Sequence, residues 1–276
     1  MSASAIGSQF LLPRRLDGTD LPGRPGDRFY PLVEPDGSVR LLSGETVLWR
    51  GQAHVGELLF TQEFDDFDRL WDLPEPADVV VTSERVAFLC ARWTAGGGWE
   101  SHGTAPLTTM ALNAASKMRA ASQRRGVVMV GQCRWEWPAI IQLRPGAVSG
   151  DRKHRAQPPV ILLGCRAGRG EGWHTLKLSG PGLATPAAID SAGNTILQAL
   201  ISYRLTHAES LGLEQRELEL LSGIAAERAF TVADSGKGQG LRLPAALLIG
   251  FMSRSEYDSA DMDRFIDKQE ADHGNQ

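Results

Sequence analysis

Seven short apolar runs, rich in β-branched and aromatic residues and separated by turn signals, are followed by one amphipathic helix. This order constrains the chain more than any single motif. The runs fall at 46–53, 78–82, 85–93, 127–135, 139–145, 159–165 and 173–179. Residues of this kind favour a pleated, half-buried backbone, and the polar, glycine and proline stretches between them mark turns. The closing helix spans about 185–205, where Ile189, Ala192, Ile196, Leu197, Leu200 and Ile201 recur at helical spacing. Strands alone cannot cover every inner side chain of a small bent barrel, and a helix across one open end completes the burial. The expected fold is therefore α+β: a seven-stranded bent β-barrel capped by a helix, spanning 41–207.

The flanks read differently. Residues 1–40 contain Pro13, Pro22, Pro25, Pro31 and Pro35 with no surviving apolar period, which predicts an irregular arm or cover. Within the barrel, Phe60, Phe64, Phe67 and Leu70 or Trp71 have helical spacing among carboxylates, which predicts a short acidic helix or compact loop at 61–73. A helix is also expected as an insertion at 105–125, on the recurrence of Leu107, Met110 or Ala111, Ala114, Met118 and Ala121. Beyond 207 comes an extension. It has a helical pattern at 213–230 and an apolar stretch at 240–251 that predicts packing on the barrel, and the tail at 270–276 is expected to be disordered.

Several motifs carry a family resemblance. The segment LSGETVLWRGQA at 42–53 resembles the opening of bacterial pleckstrin-homology-like and GRAM-type domains. VVVTSERVAFL at 79–89 is similar to their Thr-x-x-Arg strand pair, and WEWPAIIQL at 135–143 is similar to the strand that follows. The resemblance covers about 41–207. It implies a non-catalytic barrel that binds lipids or proteins, although the inserted helix at 105–125 is longer than the connection usual in such domains.

Charge is segregated along the chain. The formal net charge is −4, yet residues 101–170 carry eleven cations against Glu136 and Asp151 alone. The segments on either side, 1–100 and 208–276, are acidic. Either the flanks neutralise the middle internally, with the acidic stretch at 63–72 as one source, or the middle presents a positive field to an anionic partner. The candidate ligand-binding residues are Lys117, Arg119, Arg124, Arg125, Arg152, Lys153 and Arg155.

The residues that could carry chemistry are scattered. Cys90, Cys133 and Cys165 are 43 and 32 residues apart, which fits no metal or redox spacing, so they read as buried, reduced apolar side chains. The six histidines form no i, i+4 pair and read as solvated or locally bonded. GKGQG at 236–240 lacks the serine or threonine and the strand context of a phosphate loop, and reads as a loop. The aspartate-rich 258–267 lacks the glycine of a calcium loop, and Asp65 and Asp66 read as a solvated face. Trp135 and Trp137 flank Glu136 and read as core filling, with an aromatic platform for single strands as the sharper alternative.

These readings converge on a non-enzymatic binding module without cofactor or metal, its ligand an anionic lipid headgroup or an acidic protein segment. An enzyme of unassigned class is the alternative and a single-stranded nucleic-acid binder the third reading. The sequence pI of about 5.9 disfavours nucleic acid. The longest apolar run, 243–252, is about half the roughly 20 residues that a spanning helix needs. The N-terminus lacks the charge order of a secretory signal. A cytoplasmic location follows as the expectation, with the inner membrane face open to a peripheral role.

Overall fold

The computed structural model describes residues 10–15, 31–60, 67–73, 75–91, 127–146, 157–166 and 172–248. It is an α+β structure whose ten strands form one antiparallel system. They are β1 (Leu11–Arg15), β2 (Val47–Phe60), β3 (Phe67–Asp72), β4 (Ala77–Thr82), β5 (Arg85–Cys90), β6 (Val127–Arg134), β7 (Pro138–Arg144), β8 (Val160–Arg166), β9 (Trp173–Ser179) and β10 (Gln239–Arg242). All seven strands expected from the apolar runs are present. The sheet runs β1-β6-β5-β4-β2-β9-β8-β7-β10, and β3 pairs separately with β2. It is not closed: among the described residues no ladder joins β1 to β10 or β6 to β7.

The 14-residue β2 organises this sheet. Val47–Ala53 pairs with β4, whereas His54–Phe60 pairs with β9 on the opposite edge. One long strand thus belongs to two half-sheets: β4, β5, β6 and β1 on one side, and β9, β8, β7 and β10 on the other. Its second half also carries β3, from Gly56 to Phe60. Here the structure corrects the sequence reading, because Phe67–Asp72 is a strand and not an acidic helix. Phe67, Arg69 and Trp71 alternate as well as they repeat helically, and an edge of β2 that needs a partner decides between the two periods.

Helix α1 (Pro186–Thr206) lies across the open side. Thr185 caps it, its hydroxyl accepting from the Ala188 amide at 3.2 Å, and Pro186 fixes the first turn. Ile189, Ala192, Ile196, Leu197, Leu200 and Ile201, the stripe read from the sequence, are all buried. They join Val55, Val79, Val81, Phe88, Ile141, Leu143, Ile161, Leu163, Leu176 and Leu178 in one core between the half-sheets.

The N-terminal stretch is more regular than its prolines suggest. Leu11–Arg15 is an edge strand on β6, where Pro13 is tolerated because one side of an edge strand makes no ladder. Val33 and Val39, joined by an isolated bridge, cover Ala87, Leu89, Val128 and Val130 on the outer face. Gly131 lets the chain entering β1 come this close to β6: a Cβ there would lie 1.9 Å from the Phe10 carbonyl and 2.2 Å from the Phe88 ring.

Past α1, α2 (Gln215–Glu227) and α3 (Val232–Ser235) pack back onto it. Asp190 accepts the amides of Val232 and Ala233 at 2.9 and 2.8 Å, and Asn194 exchanges two bonds with Phe230. The chain then adds β10 to β7. The apolar stretch that follows is only partly buried, since Leu247 and Leu248 are exposed. GKGQG is a loop leading into β10, with Gly236 left-handed at φ 61° after α3. No helix among the described residues is long and apolar enough to cross a membrane.

Candidate binding groove

Residues from 42–53 and 79–89, with Gln132, build one buried polar network. Glu45 accepts from the Leu42 amide at 2.6 Å, from the Thr82 hydroxyl at 2.6 Å, and from Arg85 Nε and Nη2 at 2.9 and 3.0 Å. Arg85 donates further to Gln132 Oε1 at 2.8 Å and to the Arg40 carbonyl at 3.2 Å. Thr82 also receives the amides of Glu84 and Arg85, so the β4–β5 turn closes around its hydroxyl. Buried charges are tolerated when they are paired and hydrogen-bonded, and this pair is both.

That network fixes one wall of a groove. Ser83 accepts the Thr46 amide at 3.1 Å and returns its own amide to the Thr46 carbonyl at 2.9 Å, holding 44–48 against the β4–β5 turn. Opposite stands α1. The space between them is about 770 Å³, within the usual range for ligand pockets. Thr46, Leu48, Ser83 and Glu84 line one side, and Thr195, Gln198, Ser202 and Thr206 the other. The α1 face therefore presents hydroxyls and amides with no Lys or Arg. Tyr203 and His207 stack at one end, ring centroids 4.2 Å apart, and His207 Nδ1 donates to the Tyr203 carbonyl at 2.9 Å. Leu48, which lines the groove, is 48% exposed.

A second polar cluster lies inside the core. His174 Nδ1 sits 2.7 Å from Glu57 Oε1, with both side chains buried, so His174 is bonded to a distant strand and is not solvated. Cys165 is the ladder partner of His174, and its sulfur is 3.9 Å from that of Cys133. Burial, reinforced by Cys133, pushes the Cys165 thiol well above its usual pKa. All three cysteines are buried and none is in a disulfide, as their apolar surroundings predict. Thiol, imidazole and carboxylate in series suggest a nucleophile and base, but this series is enclosed, its thiol is held protonated, and none of its members lines the groove.

Arg204 ends α1 fully buried. It donates to the carbonyls of Trp135, Pro138 and Pro244, and burial lowers its pKa to about 10. Trp135 is itself buried, its indole donating to the Thr82 carbonyl at 3.0 Å. Trp137 is 6% exposed and lies under Arg134, which pairs with Glu136. These two indoles fill the core, at a turn and not on a strand, and offer no stacking platform.

The sequence-derived binding residues Lys117, Arg119, Arg124, Arg125, Arg152, Lys153 and Arg155, with the helix expected at 105–125, lie outside the described residues. So do Asp65, Asp66 and 258–267. The groove itself went unread, because Thr46, Ser83 and the hydroxyls of α1 are unremarkable singly and meet only through folding. Its sequence signal was the uncharged polar series Thr195, Gln198, Ser202 and Thr206 on a helix whose other face is apolar. Among the described residues no cluster of three or more metal-ligating side chains occurs. Comparison with protein-family models, with curated proteins and with solved structures finds no match for the chain.

Proposed function

We propose that the protein is a non-enzymatic binding module with a pleckstrin-homology-like arrangement, and that its ligand is a protein segment held in the groove beside α1. The arrangement is supported by the order β6-β5-β4-β2-β9-β8-β7 with α1 following β9. The observation that carries the ligand reading is the lining: hydroxyls, amides and an exposed leucine, set against a wall that a buried ion-pair network holds rigid. A polypeptide main chain suits such a surface. It bonds to hydroxyls, and its side chains can cover Leu48. The lining contains no Lys or Arg to hold a phosphate, so the groove suits a segment that is not strongly acidic.

Peptides selected from a random display library test this reading. Bound peptides should lose at least tenfold in affinity for Ser202→Trp, which fills the groove from an exposed position, while the melting temperature stays unchanged. Recovery of no peptide, or equal binding to both proteins, would overturn it. Pelleting with anionic but not neutral vesicles, lost when Arg152, Lys153 and Arg155 are changed to Ser, would instead favour the lipid headgroup.

A further inference from the structure

Cys133 and Cys165 face each other across the core from strands that do not pair. Cys133 belongs to β6 in one half-sheet and Cys165 to β8 in the other, and their sulfurs are 3.9 Å apart with both residues fully buried. A disulfide requires about 2.05 Å, so each sulfur would move by about 1 Å, within reach of side-chain rotation. Their 32-residue separation hides the pairing in the sequence, because it arises only when the two half-sheets close on each other. We infer that these two cysteines are a modification site, a thiol pair that a peroxide oxidises to a disulfide linking the half-sheets under α1.

The chemistry balances in two steps. One thiol gives up its proton and, as thiolate, attacks a peroxide oxygen to become a sulfenic acid, while the other peroxide oxygen leaves as hydroxide and takes up that proton to become water. The second sulfur then attacks the sulfenic sulfur, the S–S bond forms, and a second water departs. Two thiols and one hydrogen peroxide thus give one disulfide and two waters, with each sulfur oxidised by one electron and the peroxide reduced by two. Glu57 on β2, His174 on β9 and Arg204 on α1 are the charged or titratable groups nearest the pair. Burial keeps the Cys165 thiol protonated, so oxidation is slow at neutral pH and quickens as pH rises. Cys90, on β5, pairs with Met129, four positions along β6 from Cys133, and serves as an internal control.

The test uses the full chain. Hydrogen peroxide is added to the folded, reduced protein, and intact mass, tryptic peptides and near-ultraviolet circular dichroism are followed. The inference expects a loss of about 2 Da, a Cys133–Cys165 crosslinked peptide, retained near-ultraviolet signal and a raised melting temperature that dithiothreitol reverses. Cys90→Ala should behave the same, whereas Cys133→Ala and Cys165→Ala should lose the mass change. Four outcomes would overturn it: thiols that persist throughout, a link involving Cys90, sulfinic acid without a disulfide, or a disulfide that forms only in denaturant.

Discussion

Glu45 and Arg85, 40 residues apart in the chain, meet in two nearly parallel hydrogen bonds of 2.9 and 3.0 Å, with both side chains buried. This pair makes two separate sequence segments into one structural joint: it ties the loop before β2 to the β4–β5 turn and so sets the groove wall. Removing one partner strands the other as a buried charge. Glu45→Ala should lower unfolding stability by about 3–5 kcal/mol, read from the urea midpoint. The double variant Glu45→Met, Arg85→Met should cost less than Glu45→Ala alone, and a double variant that costs more would show that the pair is not the source of the loss.

Arg204 serves three carbonyls that have little access to water. Arg204→Met removes all the donors at once and should cost about 3–5 kcal/mol. Arg204→Lys retains a charge but not the planar fork, and should fall between the two in thermal melts.

The Cys165 thiol gives stability a pH dependence whose sign follows from its environment. Its pKa is raised in the fold above the ordinary 9.0, so the folded protein keeps a proton that the unfolded chain releases. The contribution is fully present below about pH 9 and is lost as pH rises toward the folded value. Urea midpoints measured between about pH 8 and 10 should therefore fall less steeply for Cys165→Ala than for the parent protein. Parallel slopes would contradict the assignment.

Gly131 has no room for a side chain. Gly131→Ala would drive a methyl group into the Phe10 carbonyl and the Phe88 ring, so either β1 leaves the sheet or β5 shifts. A loss of about 2–4 kcal/mol is expected, together with faster hydrogen exchange at the Gln132 amide, which donates to the Phe10 carbonyl at 3.1 Å.

The sequence made seven of the ten strands and α1 legible because their signal is local: β-branched runs, turn residues, and a stripe at helical spacing. Phe67–Asp72 was misread because a short aromatic segment satisfies two periods at once, and only the unpaired edge of β2 selects one. Leu11–Arg15 was hidden by prolines whose place on an edge cannot be known before the edge exists. His174 with Glu57 and Cys133 with Cys165 are long-range meetings that leave no spacing to find. The groove belongs to the same class, since its walls come from the start of β2, a turn and a later helix.

The shared strand β2 also bears on the order in which the chain is made. Its first half can pair with β4 as soon as that strand emerges, about 30 residues later. The β9 edge of its second half has to wait until Ser179 has been synthesised, roughly 120 residues after Phe60. At about 5–20 residues per second that edge stays open for roughly 6–24 s. During this interval Val55 lacks its cover from β9 and α1, and Leu58 and Phe60 lack theirs from Leu162 of β8 and Trp173 of β9. The strand that joins the two half-sheets is therefore also the nascent chain's most exposed template for pairing with a neighbour, and ribosomal pausing before β9 would lengthen that exposure.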